Sequence, residues 1–251
     1  MTTAVELGFA QARIQARLGL LPLDADWQRL AACRTLASFL EDARSGALRA
    51  WVKGFSAQSQ SSDIEIGVRR LLSEQVREVS AWAPKRWRDA IDWVAWLPLL
   101  PLFQHLARGG ALPDWAKEDA RLAACLDEAG QPDADLAERT GVSMLLSSAR
   151  AEGVGDAWLH AWRGRWPMMA SGSRMRLELV IDSVKAHRQV FQSARPDDAW
   201  GLRQRLREQL RRSVHKDLLE PAGLFAYLGL VFLDLERLRG ELLRRALFAE
   251  P

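Results

Sequence analysis

The chain has 251 residues, 48% of them hydrophobic, which is enough apolar surface for a real core and excludes a disordered chain. Two cysteines exclude a disulfide scaffold. The net charge is only +3, and the 35 basic residues, five of them lysine, are interspersed with 32 acidic ones, so the sequence lacks the single-sign stripe of a dedicated nucleic-acid binder.

Few stretches alternate with a strand's period of two, and Ala, Leu, Arg and Glu dominate. The expected fold is therefore all-α, a multi-lobed helical assembly with few or no strands. The opening "MTTAVELGFAQARIQ" lacks the basic-then-apolar pattern of a secretory signal, so a cytoplasmic location is expected. Thr3 with Glu6, and Ser62 with Glu65, fit capping boxes at helix starts. The second opens a helix whose core face is Ile64, Val68, Leu71, Leu72, Val76 and Val79, ending before Pro84. A following helix, about Arg86 to Leu97, presents Trp87, Ile91 and Val94 before "PLLP" breaks the chain.

Two polar stretches read as connectors, "KGFSAQSQSSD" at 53–63 and "DEAGQPDAD" at 127–135. Placing the division at the second gives an N-terminal helical lobe over 1–126 and a C-terminal lobe over 136–251. A weak echo between "FLEDARSGALRAW" and "LLSSARAEGVGDAW" fits two lobes of similar plan, or chance in a sequence of this composition. Further on, "LRQRLREQLRRSVHK" repeats Leu202, Leu206 and Leu210 every four residues, an amphipathic helix with a basic, solvated face. A nucleic-acid role for that face would use Arg203, Arg205, Arg207, Arg211 and Arg212. In "LFAYLGLVFLDLERL" the apolar run stops at Asp234, short of the roughly 20 residues a membrane span needs. It is a helix apolar nearly all round at its start and then striped through Leu228, Val231, Phe232, Leu235, Leu238 and Leu242, and it belongs deep among other helices.

Reactive chemistry is sparse. His105, His160, His187 and His215 have no second histidine at ligand spacing, and Cys33 and Cys125 sit singly in Ala/Leu-rich helical patterns. "GVGDAW" lacks the Lys and Ser/Thr of a phosphate loop and follows no strand. No catalytic set, cofactor or metal is expected. The eleven tryptophans are the compositional oddity. Trp158, Trp162 and Trp166 recur every four residues, as one helix face in a core, at a protein interface or lining a small-molecule pocket.

The two ends of the chain resemble the C/d family of central-stalk adaptors found in rotary V-type and A-type ATPases. The family's opening pattern of an aromatic, Ala, any residue, Ala and Arg is matched by Phe9, Ala10, Ala12 and Arg13. Its closing pattern is matched by Glu220, Pro221, Ala226, Tyr227, Leu228, Asp234, Leu235, Arg237, Leu238 and Arg239. Val231 and Phe232 stand where the family commonly has Lys-Glu, and the chain is shorter than is usual for it. The resemblance implies a funnel of repeated helical lobes. It also implies a non-catalytic adaptor, peripheral to the membrane, that couples the central shaft to the proteolipid ring in ion or proton transport. The fold or interface residues it singles out are Phe9, Arg13, Tyr227, Asp234, Leu238 and Arg239, with Trp158 and Trp162 added from the tryptophan face. Phe9, Arg13, Tyr227 and Leu238 are expected near one another, with Arg13 facing Asp234. The alternatives are a helical scaffold for another protein partner and the basic nucleic-acid binder.

Overall fold

The structure, a computed structural model, describes residues 3–125, 133–146 and 153–248. Among them there are helices and no strands, so the all-α class holds. The chain forms two compact units, one of residues up to Ile91 together with those from Pro167 onward, the other Asp92–Trp166.

The first unit contains α1 (Thr3–Leu18), α2 (Asp24–Ala31), α3 (Leu36–Ser45), α4 (Arg49–Val52), α5 (Ser61–Trp82) and most of α6 (Lys85–Trp93). After the second unit it resumes with α13 (Ser171–Gln192), α14 (Ala199–Lys216) and α15 (Pro221–Leu247). The long α15 is its centre and packs against α14, α5, α13 and α1. Its sequence dictates that place: Pro221 through Leu228 are buried without interruption, which only neighbours on every side can achieve. Further along, Val231, Leu235, Leu238 and Leu242 are buried at three- and four-residue spacing, the narrower stripe of a helix with one wet face. Each such side chain contributes about 1.5–3 kcal/mol relative to exposure. Where α15 begins, it runs so close to the preceding turn that a Cβ on Gly223 would stand 2.9 Å from the Asp217 carbonyl oxygen.

The expected face of α5 is buried at Ile64, Val68, Leu72, Val76 and Val79, Leu71 is only half-buried at its edge, and the helix stops before Pro84. Its cap differs from the Ser62–Glu65 reading. The Gln60 amide donates to the Asp63 carboxylate at 2.8 Å, so the reciprocal box closes two residues earlier. Glu65 is thereby left to pair with Arg69 at 3.0 Å and with Arg239. At the amino end Glu6 pairs with Arg86 at 2.7 Å, a contact between helices, while the Thr3 side chain of the expected cap lies outside the described residues. Trp87 is fully buried edge-on to Phe225 of α15, at a centroid distance of 6.0 Å.

The second unit follows α6 with a 3₁₀ turn, Val94–Leu99. The expected helix to Leu97 tightens there because Pro98 carries no amide hydrogen to continue an α-helical ladder. Then come α7 (Leu100–Ala107), α8 (Asp114–Glu118), α9 (Ala120–Ala123), α10 (Ala134–Thr140), α11 (Ser143–Leu146) and α12 (Val154–Gly164). The division of the chain thus falls elsewhere than the expected 127–135 connector, most of which, 127–132, lies outside the described residues. Tryptophan packing joins α12 to the segment after Ile91: Trp93 Nε1 donates to the Trp158 carbonyl at 3.1 Å. Packing on α15 likewise joins α1 and α5 to the chain beyond Pro167. No described helix is long and apolar enough to cross a membrane.

Candidate functional site

Charge in the first unit is concentrated along the second half of α15, where acidic and basic side chains reach helices distant in sequence. Asp234 falls on the buried stripe between Val231 and Leu235. It accepts from Arg207 of α14 through both Nε at 3.1 Å and Nη2 at 3.2 Å, and Arg207 also donates to the Pro22 carbonyl at 2.7 Å. Burial pushes the Asp234 carboxyl up, against the pull of Arg207 and Arg237 toward the ionised form. A pair this enclosed is retained because removing either partner would strand the other charge away from water.

Arg237, three residues on, lies between two indoles, 4.5 Å from the Trp27 ring centroid and 3.6 Å from that of Trp200. Its nearest acid is Asp24 at 3.7 Å. Burial lowers the guanidinium to about 10, which marks how little water reaches it, and leaves it charged at neutral pH. Arg239 donates to Glu65 of α5 through Nε at 2.7 Å and sits 3.7 Å from Glu236, whose carboxyl burial pushes up. Arg245, only 1% exposed, ends the series. It donates to the carbonyls of Cys33 at 2.8 Å and Leu30 at 3.0 Å, pairs with Glu241, and lies 4.4 Å from the Phe39 ring centroid. Burial acts to raise the Glu241 carboxyl, but Arg245 and Arg244 outweigh it and hold it below the ordinary range.

These anchors tie α15 to α14, α2, the α2–α3 linker and α5, and Arg207 ties α14 in turn to the α1–α2 linker. Their chemistry is mechanical. Bidentate guanidinium contacts and cation–π stacking fix orientation, whereas apolar packing alone leaves a helix free to slide or turn. No group of three or more potential metal-ligating side chains occurs among the described residues.

The expected fold and interface residues divide into two sets. Tyr227 and Leu238 are buried on α15, and burial pushes the Tyr227 phenol up to about 12. Phe9 and Arg13 lie on the outer face of α1; Phe9 is 57% exposed, with the Arg13 guanidinium 5.3 Å from its ring centroid. The expected cluster of Phe9 and Arg13 with Tyr227 and Leu238 does not form. Leu7, Ala10, Ile14 and Leu18 form the buried stripe of α1 and turn Phe9 and Arg13 outward. Nor does Arg13 face Asp234, whose two oxygens are taken by Arg207. The same pairing turns Arg207 away from any basic face, and Arg203 lies 5.1 Å from the Phe191 ring centroid.

In the second unit Trp158 and Trp162 stack at 5.7 Å with an interplanar angle of 22°. Trp166, beyond the end of α12 at Gly164, meets Trp162 edge-on at 5.1 Å. Arg165 covers the Trp93 ring at 3.7 Å. All four indoles are buried, so this face is core.

Sequence reasoning missed Trp27 and Arg245, and placed Arg207 on a solvated basic face where the structure pairs it with Asp234. Arg245 left a signal, because it continues the Leu235, Leu238, Leu242 spacing and therefore falls on the buried stripe. Comparison with protein-family models, curated proteins and solved structures found no match to this chain.

Proposed function

We propose that this protein is a non-catalytic helical adaptor of a rotary V-type or A-type ATPase, coupling the central shaft to the membrane proteolipid ring. The observation that carries the reading is the pairing of the chain's two family-like ends: α1 packs along α15 in one compact unit. Those are the segments in which the resemblance resides. The anchored seam of α15 supports it too, since a part that transmits torque requires helices fixed against sliding and rotation more than it requires a reactive group.

The test is affinity purification of the tagged chain from gently solubilised membranes of its source, with mass spectrometry of what accompanies it. Recovery of a proteolipid or a shaft protein is the expected result. Recovery of neither, from cells shown to contain the ATPase, would overturn the assignment and leave a helical scaffold for another partner.

A further inference from the structure

α1 is held to α15 differently from the other helices around it. Arg245 joins α15 to the Leu30 carbonyl of α2, Arg239 joins it to Glu65 of α5, and Asp234 joins it to Arg207 of α14. Among the described residues no hydrogen bond or ion pair joins α1 to α15. The ion pairs of α1 are Arg17 with Glu78 of α5 and Glu6 with Arg86 of α6, all at part-exposed positions, where such pairs add little.

α1 therefore docks through its stripe of Leu7, Ala10, Ile14 and Leu18, and that stripe is interrupted by two glutamines one helical turn apart, Gln11 and Gln15. Gln11 is 5% exposed, yet neither its amide nitrogen nor its carbonyl oxygen has a partner, and the Gln15 amide nitrogen is buried without one. Buried polar groups are nearly always hydrogen-bonded, because the loss of water is otherwise uncompensated. Each unpaired group opposes docking, by about tenfold in the equilibrium between docked and released helix. Release returns these amides to water and leaves every arginine anchor of α15 in place.

Release also uncovers a defined part of α15. A Cβ on Gly223 would lie 3.4 Å from Gln11 Oε1, so Gly223 faces α1, and Tyr227, one turn further on, shares that face. Burial, aided by Glu78 and opposed by Arg17, holds the Tyr227 phenol up at about 12, and those two neighbours are the ion pair that spans α5 and α1. Tyr227 is the only tyrosine in the chain.

We propose that α1 is a strap, released from α15 as a unit while α2, α5 and α14 stay in place, and that its release opens the Gly223–Tyr227 face of α15. Hydrogen exchange of the purified full chain at several low urea concentrations, read by mass spectrometry, tests it. Amides of α1 are expected to exchange about tenfold or more faster than those of α5 and the second half of α15, with a weaker dependence on urea. Nitration of Tyr227 by tetranitromethane, read on its peptide, should follow the opening of α1. Gln11→Met keeps the side chain's length and removes both polar groups, so it should slow α1 exchange and Tyr227 nitration together by about tenfold, with an unchanged far-UV spectrum. Amides of α1 that exchange only in step with those of α5 and α15, or nitration of Tyr227 no faster than exchange in the second half of α15, would overturn the proposal. So would a Gln11→Met variant whose α1 exchange is unchanged or faster, the result expected where buried water already satisfies the amide. The strap is a property of the isolated chain, so its failure would not be a failure of the adaptor reading.

Discussion

Replacing Arg245 with Met keeps most of the side chain's length and apolar contact with Phe39 while removing every donor. Four acceptors lose a partner: the carbonyls of Cys33, Leu30 and Glu241, and the Glu241 carboxylate. Leu30 keeps the Cys33 amide as a donor at 3.1 Å and Glu241 keeps Arg244 at 3.3 Å, so neither is fully stranded. The Cys33 carbonyl bears the largest loss. One stranded buried acceptor costs about 1–3 kcal/mol, and weakening the hydrogen bonds to a charged donor adds roughly another 1–2. The expected destabilisation is about 3 kcal/mol, a downward shift in melting temperature of about 6–12 °C for a chain of this size. Urea unfolding at neutral pH would measure it, with Arg245→Lys falling between, because an ammonium cannot span the two carbonyls and the carboxylate as a planar fork does. A local readout is available at the same place: Cys33 is part-exposed and Cys125 buried, so release of the Cys33 backbone should speed labelling of that thiol. A Met variant within about 0.5 kcal/mol of wild type, with unchanged Cys33 labelling, would refute the view that this buried arginine anchors α15.

Two glycines of α15 should respond in opposite directions to the same change. Gly240→Ala has open space and should stabilise by about 0.5–1 kcal/mol through helix propensity, whereas Gly223→Ala meets the Asp217 carbonyl and should cost about 1–3 kcal/mol; thermal melting of the two variants compares them. Asp234 and Glu241 should give stability–pH slopes of opposite sign. Asp234 binds its proton more tightly when folded, so its stability term, measured as wild type minus Asp234→Asn, is greatest below its unfolded value of about 3.9 and falls as pH rises through the folded one. Glu241 is depressed, so its term, measured with Glu241→Gln, is present above about 4.3 and is lost as pH falls; slopes of the same sign in urea titrations between acid and neutral pH would contradict this. In the second unit Trp162→Ala removes the indole between Trp158 and Trp166 and should cost about 3–5 kcal/mol, with loss of near-UV circular dichroism; an unchanged spectrum would show that the stack contributes no fixed packing.

What the sequence made legible was periodic. The α5 face, its end before Pro84 and the enclosure of α15 all follow from spacing alone, because an apolar stripe has nowhere stable to go but inward. The tryptophan register of α12 was legible for the same reason. Partner choice was not. Spacing read Asp234 as the charged end of the apolar run, on a solvated face; that it is buried, and that its counterion is Arg207 of α14 and not Arg13 of α1, depends on which face each helix turns inward. For α1 the decision lies with Leu7, Ala10, Ile14 and Leu18, and Phe9 and Arg13 go outward as a result. The Asp63 cap was hidden by competition between two acids within reach of a helix start, and a long-range claim on Glu65 by Arg239 resolved it. Division into units was obscured because contacts, not linkers, define it, and the first unit is discontinuous in sequence.

That discontinuity bears on how the chain acquires its structure during synthesis. The apolar face of α5 is complete once residue 82 has been made, but α15, which covers it, begins 139 residues later, at Pro221. At about 5–20 residues per second that is an interval on the order of ten seconds, during which Val68, Leu72 and Val76 lack their native cover. The intervening unit, Asp92–Trp166, is continuous in sequence and need not wait. The order of translation therefore favours a nascent chain whose inserted part folds first, while its amino-terminal helices remain a target for holding factors until α15 arrives.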